Sequence, residues 1–121
     1  MGLDTFAAHT PDDIALTEED LAAFREANIS LCGGIFSGGG SDGSFRGKVY
    51  AEHILDITGE SLYAEWISPE IVKAMYQALV DYESMRAPDE EFFDTGEKAH
   101  ADLVKFFKVC SERGLGLVGW S

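Results

Sequence analysis

The chain has 121 residues, 45% of them hydrophobic, a size at which one core buries roughly two-thirds of the surface the unfolded chain exposes, so one globular domain over 1–121 is expected. Twenty-two acidic residues against nine basic ones give a formal net charge of −13, which repels nucleic acid and anionic membrane over most of the surface. No apolar run approaches the ~18 residues a membrane span needs, and the start "MGLDTFAAHTPDD" lacks the basic and apolar regions of a secretory signal, so a cytoplasmic protein is expected.

The predicted elements begin with a helix in "LTEEDLAAFREAN". Thr17 stands as its N-cap, Glu18, Glu19 and Asp20 fill the first turn, Leu16 and Leu21 flank it as a hydrophobic staple, and Asn28 is its stop. Leu21 and Phe24 supply its buried stripe. The next stretch, "ISLCGGIF", alternates apolar and polar residues and then breaks at Gly33 and Gly34, which predicts a short strand with a bulge or turn. After a glycine-rich loop, "RGKVYAEHILDIT" carries Val49, Tyr50, His53, Ile54 and Ile57 at helical spacing, closed by Gly59. "SLYAEWI" is expected to be a short turn of helix, with the pairs Leu62/Trp66 and Tyr63/Ile67.

"SPEIVKAMYQALVDYESMR" predicts a long helix with Ser68 as N-cap, Pro69 in its first position and the stripe Ile71, Met75, Leu79 and Tyr82. "APDEEFFD" reads as a loop pinned by Phe92 and Phe93. A last helix starts near Asp94 or Thr95, with Asp94 and Glu97 as a capping box. It carries Ala99, Leu103, Phe106, Phe107 and Cys110 on one side and ends at Arg113 and Gly114. "LGLVGW" suits a closing strand. The fold class is therefore helix-dominated α+β: about four main helices and a small sheet of two or three short strands, built from "ISLCGGIF" and "LGLVGW" with "GLDTFA" beside them.

The stretches "MGLDTFA", "SFRGKVY" and "SLYAEWI" resemble small, uncharacterised prokaryotic proteins that begin with a similar MGLD stretch. The resemblance covers short patches only and implies no activity.

The loop "SGGGSDGSFRGK" stands where phosphate-binding loops are found, before a helix. It is not a Walker A loop. Gly47 and Lys48 would need a glycine at position 42 and a hydroxyl at 49, where the chain has Asp42 and Val49. The dinucleotide fingerprint can be laid on Gly38, Gly40 and Gly43, but it belongs inside a βαβ unit and helices predominate here. A less specific anion site fits Gly43, Ser44, Arg46, Gly47 and Lys48: inward-turned N–H groups form a nest, the helix adds its positive end, and two cations supply attraction. The competing reading is a surface loop in which Gly47 lets the helix pack closely.

Two helical pairs, His53 with Asp56 and Glu97 with His100, could each face one way and hold a metal between facing helices. A di-iron bundle needs a second E-x-x-H and two further glutamates, and only one E-x-x-H exists. The competing reading is a core histidine satisfied by Asp56 or a backbone carbonyl. The two cysteines, Cys32 and Cys110, form no local pair and read as unlinked core residues. A hydrolase on Cys32, His53 and Asp56 has no further motif behind it.

The acidity reads as a solvated surface, as salt adaptation, or as a face for a basic protein partner. Its clusters are Asp12, Asp13, Glu18, Glu19 and Asp20, then Glu83, Asp89, Glu90, Glu91 and Asp94. Two functions follow. The first is a small acidic binding or regulatory protein that holds a small anionic, phosphate-bearing ligand at the loop or engages a basic protein. The second is a small metal- or acid/base-dependent enzyme using His53, Asp56, Glu97 and His100. No pattern assigns a cofactor.

Overall fold

The computed structural model describes residues 4–12, 16–31, 39, 40, 42–85 and 97–120, with 84, 85, 97–99 and 120 described by backbone alone. The elements run β1 (Asp4–Ala8), α1 (Glu18–Glu26), β2 (Ser44–Phe45), α2 (Gly47–Thr58), β3 (Trp66–Ile67), α3 (Pro69–Met85), α4 (Glu97–Arg113) and β4 (Gly116–Trp120). This is the expected helix-dominated α+β fold. Among the described residues its sheet has four strands in the order β2-β1-β4-β3, all paired antiparallel.

The long pairing is β1 with β4, where Phe6 faces Val118 and Ala7 faces Leu117, so the two ends of the chain make the centre of the sheet. β2 and β3 are two-residue edge strands, short enough to offer little template for further pairing. Ala7, Phe45, Ile67 and Leu117 belong to the core, where they join Phe24, Ile54, Leu79, Leu103, Phe106 and Phe107 from the helices. Phe106 is the centre of an aromatic group, 4.9 Å from Phe24 and 4.8 Å from Phe45 between ring centroids.

The helix ends follow their chemistry. Thr17 Oγ1 accepts from the Asp20 N–H at 3.1 Å, and the Asp20 carboxylate accepts from the Thr17 N–H at 3.1 Å, a complete capping box. Asn28 takes the left-handed conformation beyond the last turn, with φ 57°. Ser68 Oγ accepts from the Ile71 N–H at 3.4 Å, and Gly114, at φ 68°, closes α4. Among the described residues no helix is long and apolar enough to cross a membrane.

Several expectations are corrected. Residues 29–31 form no strand; Ile29 and Leu31 are buried, and the Leu31 N–H donates to the Gly39 carbonyl at 2.7 Å, so the segment folds back along the glycine loop. Residues 32–38, Cys32 among them, lie outside the described residues. The strand position is filled by Ser44–Phe45 at the far side of that loop. "SLYAEWI" is not a turn of helix: Trp66 and Ile67 pair with Val118 and Leu117. Gly116 permits that pairing, because a side chain there would collide with the Ile67 carbonyl and the Trp66 ring. On α3 the buried stripe is Val72, Met75 and Leu79, while Ile71 is exposed. Val49 on α2 is likewise exposed. The capping box at Asp94 and the pinning residues Phe92 and Phe93 fall outside the described residues.

Candidate functional site

The glycine loop leads into an edge strand and then into α2. Gly40 and Gly43 both have positive φ, 102° and 81°. At Gly43 a side chain would also meet Leu16 and Phe24, so glycine is required there twice over. The loop closes on itself: the Gly40 N–H donates to the Ser44 carbonyl at 2.8 Å and the Gly43 N–H to the Gly40 carbonyl at 3.2 Å. Asp42 Oδ1 accepts from both the N–H and the hydroxyl of Ser44, at 3.1 and 2.9 Å. The Gly43 carbonyl accepts from Ala7 of β1 at 2.8 Å.

The N–H groups of Gly43 and Ser44 therefore hold the loop together instead of lining a nest. Of the five expected site residues, Arg46, Gly47 and Lys48 remain at the start of α2. Arg46 is its N-cap with no side-chain capping bond, and the first turn holds no acidic residue. Gly47 is buried, Arg46 half-buried and Lys48 exposed.

The two helical histidines do meet. His53 of α2 and His100 of α4 are both buried, with His53 Nε2 and His100 Nδ1 2.8 Å apart. His100 Nε2 lies 3.1 Å from the carbonyl of Leu79 on α3. A carbonyl only accepts, so His100 carries its proton on Nε2, its Nδ1 accepts, and His53 donates from Nε2. The partner of His53 is thus His100, in place of the expected Asp56 or backbone carbonyl. Burial, and after it the neighbouring His100, push His53 down to about 4, with Asp56 pulling the other way. Tyr82 packs against both rings, and Glu83 Oε2 is 4.0 Å from His100 Nε2.

Asp56 is exposed, and the Glu97 side chain is outside the described residues. The four expected ligands thus contribute two that touch. Among the described residues no group of three or more His, Cys, Asp or Glu side chains is arranged to hold a metal ion.

A second buried polar network was not legible in the sequence. Asp20 is 1% exposed, so it belongs to the interior and not to the acidic surface. One of its carboxylate oxygens accepts from Arg113 Nε at 2.5 Å, the other from His9 Nε2 at 2.7 Å and the Thr17 N–H. Burial pushes this carboxyl up, but the bonds from Arg113, His9 and Thr17 outweigh it and hold Asp20 well below the usual carboxylate range. The only signal for it in the sequence was the T-x-x-D spacing of the cap, since its partner Arg113 stands 93 residues away.

Arg113 also borders a cleft of about 450 Å³ between α1 and α4, lined by Ala23, Glu26 and Ala27 on one side and Lys105, Lys108, Val109 and Glu112 on the other. Its cations are largely matched already: Lys105 sits 3.6 Å from Asp102, and Arg113 is held by Asp20. The cleft is not a positive site. Cys110, also on α4, is buried as a free thiol, and burial raises its pKa above the ordinary range, which makes it unreactive. No family model, curated protein or solved structure matches this chain.

Proposed function

We propose that the protein is a small acidic binding protein that takes an anionic, phosphate-bearing ligand at the start of α2, through Arg46, Lys48 and the N–H groups of Gly47 and Lys48. The Val49 N–H is already given to the Arg46 carbonyl. One observation carries the reading. α1 opens with Glu18, Glu19 and Asp20 and a capping side chain, whereas α2 opens with neither acid nor side-chain cap and with two of the chain's nine cations. An anion completes such a terminus, because the helix end and both side chains favour negative charge at one place. Behind it, the Gly43 carbonyl is tied to Ala7 of β1. A cytoplasmic setting goes with this reading, since the buried thiol of Cys110 stays reduced there.

The enzyme reading gains less. His53 and His100 touch, but at 4% and 0% exposure they have no access to substrate.

Calorimetric titration with a panel of nucleotides and sugar phosphates tests the proposal. Arg46→Ala with Lys48→Ala should weaken binding by about 1.5–3 kcal/mol, the worth of charged hydrogen bonds. No heat with any member of the panel, or equal binding by wild type and variant, would overturn it. Equal binding to a basic protein before and after replacing Asp12, Glu18 and Glu19 would separately remove the acidic face from consideration.

A further inference from the structure

We propose that the His53–His100 hydrogen bond is an acid-operated latch: in mildly acidic solution it releases α2 from α3 and α4, while the central strands and the α1–α4 contact stay closed. The inference is independent of the ligand reading.

The latch lies at a junction of three helices. His53 belongs to α2, His100 to α4, and the carbonyl that receives the His100 proton belongs to Leu79 of α3. α2 is held by the buried face Tyr50, Ala51, His53 and Ile54, and His53 is the member of that face that takes up a proton in mild acid. Among the described residues the titratable groups around it include His100 on α4, Tyr82 and Glu83 on α3, and Asp56 on its own helix. Glu83 is 54% exposed and Asp56 is exposed, so both carboxylates are screened by water and offset a charge within the seam only in part. A proton added to His100 Nδ1 would set two donors against each other across 2.8 Å. A proton added to His53 leaves that bond intact but buries a cation. Either way the cost is relieved by moving α2 outward.

The central strands and the α1–α4 contact are held differently. β1 and β4 pair along five positions, from Asp4 with Trp120 to Ala8 with Gly116. α1 and α4 meet through Phe24 and Phe106. The Asp20 network that also joins these helices is lost only in stronger acid, because its carboxyl is held below the ordinary range. Acid therefore acts on the two seams in order.

Hydrogen exchange of the full-length protein between pH 7 and pH 4, corrected for the intrinsic pH dependence of exchange, tests this directly. With His53 moving from about 6.5 when exposed to about 4 when buried, the opening equilibrium of α2 should rise about a hundredfold. Amides of β1, β4 and the middle of α4 should change far less. A variant carrying His53→Leu and His100→Leu removes both partners together and should keep α2 protection level across the same range. The wild-type comparison stands even if that variant fails to fold. A uniform loss of protection throughout the chain, or no loss in α2, would overturn the latch.

Discussion

The two buried polar networks stand in opposite charge states, and the difference comes from their partners. Around Asp20, burial alone would favour a neutral carboxyl, yet one guanidinium, one imidazole and one backbone N–H keep it ionised. Around His53, burial meets another imidazole and a carboxylate that stays in water, so the ring stays neutral. A carboxylate with strong donors on both oxygens can stay charged in the interior, whereas an imidazole whose partner is itself a base cannot. One network joins α1 to α4 as an ion pair. The other joins α2 to α4 as a neutral bond, and only the first can hold its charge through mild acid.

The sharpest way to break the comparison is Asp20→Ala. It removes the acceptor for Arg113, His9 and Thr17 at once and leaves the half-buried guanidinium with only the exposed Glu19 carboxylate, 3.8 Å from its Nη2, so denaturant unfolding should show a loss of about 3 kcal/mol. A loss under about 1 kcal/mol would mean that the network contributes no more than an exposed ion pair.

Acid titration of stability separates the networks. His53 binds its proton more weakly when folded, so the unfolded chain takes up more protons. The stabilisation is complete above about pH 6.5 and is lost as pH falls toward 4, amounting to about 3 kcal/mol. Asp20 is also depressed, so its contribution holds above about pH 4, the ordinary carboxylate range, and is lost only below that. Thermal melts should therefore show a first decline between pH 6.5 and 4 that is absent when both His53 and His100 are leucine, and a second below pH 4 that persists in that variant.

The charge states also rest on a packed frame, which Gly43→Ala probes. Its φ of 81° and the contact with Leu16 and Phe24 should cost at least about 1–2 kcal/mol by calorimetric melting. The smallest effect belongs to Arg46→Ala with Lys48→Ala. Neither residue takes part in the two networks, so the melting stability should change by less than about 0.5 kcal/mol even where ligand binding is lost.

How far the sequence could be read depends on the range of the interactions involved. α1 was legible because its signals lie within four residues of one another: Thr17 as cap, Glu18, Glu19 and Asp20 in its first turn, Leu16 and Leu21 around them. The four helices followed from periodicity, although the stripe of α3 slipped by one residue because Ile71 and Val72 satisfy it equally well. β2 and β3 were not legible. Two residues carry no alternation, and each strand exists because β1 or β4 lies beside it. The histidine pair was half legible, since His53 and His100 could be assigned to facing helices but not to each other. The pairing of Asp20 with Arg113 was hidden, because an acid in a first helical turn looks the same whether it meets water or Arg113.

The most direct test of this account is the pH titration of the imidazole and carboxyl resonances in the folded protein by nuclear magnetic resonance. The account predicts that His53 stays neutral at pH 7 with its proton on Nε2 and titrates near 4, while Asp20 remains ionised below the ordinary carboxylate range. A His53 that titrates near 6.5, or an Asp20 that takes up its proton at or above about 4, would contradict it.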